Sequence, residues 1–155
     1  MMEQGAKASL LLYSSTAEDP ANFGNPSSVH WAGRRVKSIV DDSRELIASA
    51  FGLEDPESLL FTASATESIN TALKGFYFQH FRSGKVRFLT SAVEHEATME
   101  TLHFLEELGA EVVFLPVDSE GRLDLSLLQK ELSAFKLPTL VSLMAANNET
   151  GVIFP

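Results

Sequence analysis

The sequence predicts an α/β fold, a parallel sheet in a three-layer α/β/α arrangement, and three observations carry that expectation. Short apolar runs at 59–62, 86–90, 111–115 and 139–146 alternate with segments of helical period ten or more residues long. Such alternation implies parallel pairing through right-handed crossovers. Apolar residues make up 45% of the 155 positions, with eleven Phe among them, so a single domain can bury roughly two thirds of its unfolded surface. The loops after the predicted strands, 63–66, 91–96 and 147–151, are polar, and sheets of this kind bind ligands beyond the carboxyl ends of their strands.

In chain order, residues 1–12 read as a short helix with Ala6 and Leu10 on one side. Residues 13–28 shift to Ser, Asp, Asn, Gly and Pro, including Asp19-Pro20 and Gly24-Asn25-Pro26-Ser27-Ser28, all turn formers. Phe23 and Trp31 are expected to pin this loop. Residues 1–28 are therefore assigned to an N-terminal helix and loop, and 29–155 to the α/β body. A helix over 29–51 places Ala32, Val36, Ile39, Val40 and Ile47 opposite Arg34, Arg35, Lys37, Asp41 and Asp42, and Gly52 stops it. Strand 59–62 follows, then a helix over 66–81 with Ile69, Ala72, Leu73 and Phe76 inward, ended by Ser83-Gly84. Phe76, Tyr77, Phe78 and Phe81 give more aromatic surface than one helical stripe holds. Strand 86–90 leads to a helix over 97–108 that presents Leu102, Leu105 and Leu108 and closes at Gly109. After strand 111–115, Asp118-Ser119-Glu120-Gly121 is a turn. Leu125, Leu128 and Leu132 mark a last helix, and 139–146 is the longest strand.

The totals exclude several functions. No cysteine is present, which removes disulfides, thiolate metal sites and a cysteine nucleophile from this chain and points to a reducing compartment. A net charge of -9 disfavours sequence-independent nucleic-acid binding and anionic membrane surfaces. No basic leader with an apolar core opens the chain, and no apolar run approaches the roughly 20 residues of a membrane span, so a cytoplasmic location is expected. His80, His95 and His103 lack metal-ligand spacing, and no metal site is assigned. Ser83-Gly84-Lys85 lacks the upstream glycine of a nucleotide phosphate loop.

Each polar loop has a structural and a chemical reading. Ser64 and Glu67 have the spacing of a capping box. The same junction offers the first N–H groups of a helix, at Ala65 and Thr66, to an anion such as phosphate. His95 suits a helix cap, or a ring that stacks on a flat ligand and moves a proton near neutral pH. Asn147 and Asn148 suit a strained turn, or an amide that donates and accepts at once.

Five blocks taken together resemble the cysteine desulfurases of the class V aminotransferase group, within the fold-type I pyridoxal 5′-phosphate enzymes. They are Phe23-Gly24-Asn25-Pro26-Ser27-Ser28-Val29-His30, Phe61-Thr62-Ala63-Ser64-Ala65-Thr66-Glu67-Ser68-Ile69-Asn70, Glu94-His95-Glu96-Ala97, the run 115–125 that begins Leu115-Pro116-Val117-Asp118, and Ala146-Asn147-Asn148-Glu149-Thr150-Gly151-Val152. The resemblance implies that the chain is part of the large cofactor-binding domain. It implies that Ser64, Ala65 and Thr66 hold the cofactor phosphate, that His95 stacks on the pyridine ring and transfers protons, and that Asn148 bonds near the phenolic oxygen and the substrate carboxylate. At Ser64 the family usually has glycine, so a serine at positive φ would be strained.

The resemblance further implies removal of sulfur from L-cysteine to leave alanine, a homodimer, a sulfur-acceptor protein and a place in iron–sulfur cluster assembly. The family's Schiff-base lysine and sulfur-accepting cysteine match no position here, and both ends read as cut, so the isolated chain is expected to be inactive. Two alternatives stand beside this reading: another class V enzyme, such as a selenocysteine lyase or an aminotransferase, or a non-catalytic truncated α/β binding module.

Overall fold

A computed structural model of the chain describes Asp19 and residues 22–154, in two compact units that divide between Phe61 and Thr62. The helix expected over 1–12, with most of the loop that follows it, lies outside the described residues.

The first unit is built on α1 (Trp31–Ala50). His30 caps it, its Nδ1 accepting from the Gly33 N–H at 3.3 Å, and Gly52 ends it at φ 68°. The loop over 24–28 lies on this helix at a distance only glycine permits. A Cβ on Gly33 would stand 2.4 Å from the Ser28 carbonyl oxygen and 2.6 Å from that of Asn25. Phe23 and Trp31 do not pin the loop, being 89% and 67% exposed. Polar bonds hold it instead: Arg35 donates to Asn22 at 2.8 Å and to Asp19 at 3.2 Å, and Asn25 Oδ1 accepts from the Ser27 N–H at 2.9 Å.

The strand expected at 59–62 is not formed. A 3₁₀ turn over Pro56–Ser58 gives way to extended chain that joins no ladder among the described residues. Arg44 Nη1 donates to the Leu59 carbonyl oxygen, an acceptor a ladder would use, and the guanidinium lies 5.0 Å from the Phe61 ring centroid. Apolar extended chain and strand share one sequence pattern, and only a partner edge separates them.

The second unit holds α2 (Ala65–His80), β1 (Arg87–Ser91), α3 (Glu96–Glu107), β2 (Glu111–Leu115), α4 (Leu125–Ala134) and β3 (Thr139–Ser142). The sheet runs β2-β1-β3, parallel throughout. Central β1 is buried at all five positions, as a strand covered on both faces must be. On one face, Leu73 and Tyr77 of α2 and Leu102 and Leu105 of α3 form a core cluster with Val86 and Phe88. Tyr77, not the exposed Ala72, is the inward residue. Its hydroxyl donates to the Leu108 carbonyl oxygen at 2.5 Å, which removes the cost of burying it. The aromatic surplus divides: Phe76 meets Phe88 edge-on at 5.7 Å, while Phe78 and Phe81 face outward.

Side chains alternate along a strand, so Arg87 looks to the face opposite Phe88, and there it meets α4. Its Nε donates to Glu111 at 2.9 Å, its Nη2 to Glu131 at 2.6 Å and its Nη1 to the Glu131 carbonyl oxygen at 2.7 Å, with Phe135 beneath the guanidinium at 4.2 Å. Helices thus cover both faces of the sheet, as expected of α/β/α layering.

Strand β3 stops at Ser142 instead of reaching Ala146. The Met144 N–H donates to Glu94 Oε1 at 2.9 Å, outside the ladder. The chain then folds back on itself through an isolated bridge between Ala146 and Ile153. The turn at 118–121 forms as expected. Asp118 Oδ1 accepts from the Glu120 and Arg122 N–H groups at 2.8 and 2.9 Å, bonds that hold its carboxyl below the usual range, the one from Arg122 foremost. No helix among the described residues is long and apolar enough to cross a membrane.

Candidate functional site

The start of α2 is both a capped helix and a set of free donors. Ser64 Oγ accepts from the Glu67 N–H at 3.2 Å, and Glu67 Oε2 accepts from the Ala63 N–H at 2.7 Å. This is the capping box of the sequence, displaced by one residue on its return arm. Ser64 has φ −161° and ψ 162°, ordinary extended backbone, so the strain anticipated for a non-glycine residue is absent. The box uses the Ser64 hydroxyl and the third helical N–H. The N–H groups of Ala65 and Thr66 and the Thr66 hydroxyl donate to no acceptor among the described residues. Three donors at the positive end of the helix macrodipole suit a phosphate.

His95 caps α3, its Nδ1 accepting from the Ala97 N–H at 3.1 Å. A ring nitrogen that accepts from a backbone N–H carries no proton, so the neutral ring bears its hydrogen on Nε2. The imidazole is exposed. The cap occupies only one edge of the side chain and leaves the rest of the ring exposed.

The two asparagines of the third loop divide into one structural and one free. Asn147 is buried. Its Oδ1 accepts from the N–H groups of Glu149 and Thr150, both at 2.9 Å, and its Nδ2 donates to the Val93 carbonyl oxygen at 3.2 Å. Asn148 is exposed and its amide is bonded to none of these groups. Asn147 therefore fastens the third loop to the second, and Asn148 is presented beyond it.

Two hollows meet at His95. One, of about 510 Å³, runs from Thr66, Asn70 and Lys74 on α2 to His95, Glu100 and Phe104. The other, of about 380 Å³, lies between Glu94, His95 and the 147–150 turn, with Asn148 on its rim. Both volumes fall in the ~300–1,000 Å³ span of small-molecule sites. No single hollow is lined by all three candidates: Thr66 and His95 line the first, His95 and Asn148 the second.

Two residues that shape this region have roles that sequence reasoning does not assign: Glu94, whose carboxylate joins two loops, and Asn147, which the sequence presents as an equal of Asn148 and which is the structural one of the pair. The Asn147-x-Glu149-Thr150 spacing is the signal that marks the second, since an Asx side chain accepts from N–H groups two and three residues on. The first has a near partner in the Ser91 hydroxyl, but nothing local marks its bond to the Met144 N–H fifty residues away.

A family model described as aminotransferase class-V matches residues 12–155. The cysteine desulfurase IscS of Dictyoglomus turgidum is 47% identical over 133 residues, 86% of this chain and 33% of that protein. Among solved structures, a NifS-like protein superposes with TM-score 0.77 at 35% identity, over 98% of this chain and 39% of the other. SspA, solved in complex with cysteine, gives TM-score 0.78 at 29% identity, over 93% and 41%. The chain spans about a third of the length of the curated relatives it matches.

Proposed function

The chain belongs to the class V aminotransferase family, and from that premise we propose that it forms the N-terminal part of a pyridoxal-phosphate-dependent cysteine desulfurase, acting on L-cysteine. The observation that carries the reading is the placing of Thr66, His95 and Asn148 around hollows that share His95. The donor set fits the cofactor. Ala65 and Thr66 offer two N–H groups and a hydroxyl to its phosphate, His95 offers an exposed ring face, and Asn148 offers an amide to the ring oxygen or a substrate carboxylate.

Pyridoxal phosphate, when bound, supplies the electron sink for carbanion chemistry. The chain's own residues bind and orient. The α2 terminus would fix the anion, and a dianion is favoured there by both geometry and charge. His95 would hold a proton on Nε2 at the edge of the hollow while its Nδ1 stays committed to the α3 cap, so exchange with a ligand runs through Nε2 alone. The chain has no cysteine, so it cannot itself take up sulfur, and we assign it no turnover in isolation. A cytoplasmic homodimer that passes sulfur to an acceptor protein, for iron–sulfur assembly, is the setting in which these residues would work.

Titration of the labelled chain with pyridoxal phosphate, followed by NMR, tests the reading. Shifts are expected at Thr66, His95 and Asn148, weaker binding of pyridoxal without the phosphate, and no sulfide on addition of cysteine. Thr66→Val removes one hydrogen bond to a charged group, worth about 1.5–3 kcal/mol, and should weaken binding roughly tenfold or more. Shifts confined to other surfaces, or binding indifferent to Thr66→Val and His95→Ala together, would end it.

A further inference from the structure

Glu94 precedes His95, and its side chain turns away from the helix that His95 caps. Its Oε1 accepts from the hydroxyl of Ser91, the last residue of β1, at 2.8 Å and from the N–H of Met144, two residues past β3, at 2.9 Å. One oxygen atom thus joins the ends of two neighbouring parallel strands, at the point where their ladder stops. The carboxylate is half-buried and has no cationic partner among the described residues. Two donors on a charged acceptor make bonds about twice as strong as neutral ones, which offsets part of the desolvation.

We propose that Glu94 is a positioning residue, which sets the separation between the His95 ring and the Asn148 amide by clamping the loop after β1 to the segment after β3. The inference rests on the functional reading above for its purpose, and on the two bonds for its mechanism. His95 is one residue from the clamp, and Asn148 is four residues past Met144 on a segment whose backbone would otherwise follow β3. Asn147, donating to Val93, is a second strap between the same two segments, so the clamp and the strap bracket the hollow that Asn148 and His95 border. Without Glu94 the Met144 N–H has no acceptor, and the segment leaving β3 pivots on Asn147 alone.

The test uses the 155-residue chain, isotope-labelled and without cofactor. In Glu94→Ala, the Met144 amide should exchange at least tenfold faster, and the His95 ring and Asn148 side-chain signals should both shift. Contacts between loops 93–96 and 147–150 should weaken, while amides in the β1–β2 ladder keep their protection. Glu94→Gln retains an acceptor oxygen at the same reach and should restore the Met144 amide and both site signals; Glu94→Asp, one methylene shorter, should not. Unmoved His95 and Asn148 signals in the alanine variant overturn the proposal, as does a loss of protection as large in the β1–β2 ladder as at Met144. If the alanine variant does not fold, Gln against Asp decides alone: equal behaviour of the two overturns it. Because no cofactor is present, a failed pyridoxal phosphate titration would sink the functional reading without touching this result.

Discussion

Ser64 serves the fold, while the N–H groups that follow it, at Ala65 and Thr66, donate to no acceptor among the described residues. Its hydroxyl is spent on the Glu67 N–H, and its extended backbone tolerates any residue. Ser64→Ala should therefore lower stability by about 1 kcal/mol, and Ser64→Gly by a few tenths, measured by urea unfolding. Neither should change anion binding at Ala65 and Thr66 beyond what the fold loses, and a tenfold weaker phosphate titration in a folded Ser64→Ala would contradict that division. At this scale the sequence is legible where a motif is contiguous. The Ser64 and Glu67 capping box and the His95 cap can be read from it because each sits in a short block with a local signature. Glu94 and Arg87 cannot, since what makes each important is a partner twenty or more residues distant.

Elements are legible where their ends are set locally, and illegible where they depend on pairing. The three helices expected over 29–51, 66–81 and 97–108 begin and end within one or two residues of those bounds, with Ser64 and His95 capping two of them and Gly52 and Gly109 releasing two. The extended run at 59–62 and the tail of β3 depart from expectation because a side chain, Arg44 in one case and Glu94 in the other, takes a backbone group that a ladder would need. Two helical glycines make the contrast between local and tertiary control measurable. A Cβ added at Gly75 in α2 would meet nothing within 4 Å, whereas one at Gly33 in α1 would meet two carbonyl oxygens. Gly75→Ala should stabilise by about 0.5–1 kcal/mol through helix propensity. Gly33→Ala should destabilise by about 1–3 kcal/mol, because the 24–28 loop must leave the helix. Thermal melts of the pair should move in opposite directions, and a shared sign would show that loop and helix are not packed as described.

The largest electrostatic commitment among the described residues is Arg87, which ties β1, β2 and α4 of the sheet unit together. Its side chain is 2% exposed, whereas those of Glu111 and Glu131 are 31% and 24% exposed. That asymmetry decides which half of the network is costly to lose. Replacing Arg87 with Met leaves two carboxylates that water can reach, and a long apolar side chain still covers Phe135. Replacing Glu131 with Leu leaves a guanidinium in the interior with only Glu111 and one carbonyl to accept from it, and an under-paired interior charge costs about 3–5 kcal/mol in comparable pairs. Glu131→Leu should therefore be the more destabilising of the two, near 3 kcal/mol once the partial exposure of the glutamate is discounted, while Arg87→Met falls well below it. Urea unfolding with equal slopes for the two variants would make the comparison direct. Since the Arg87 contacts lie at the amino end of β1 and the hollows at its carboxyl end, both variants, if folded, should keep the Met144 amide protected. A variant that loses Met144 protection together with its stability would mean that the two ends of β1 are mechanically one, and that the site cannot be tuned apart from the fold.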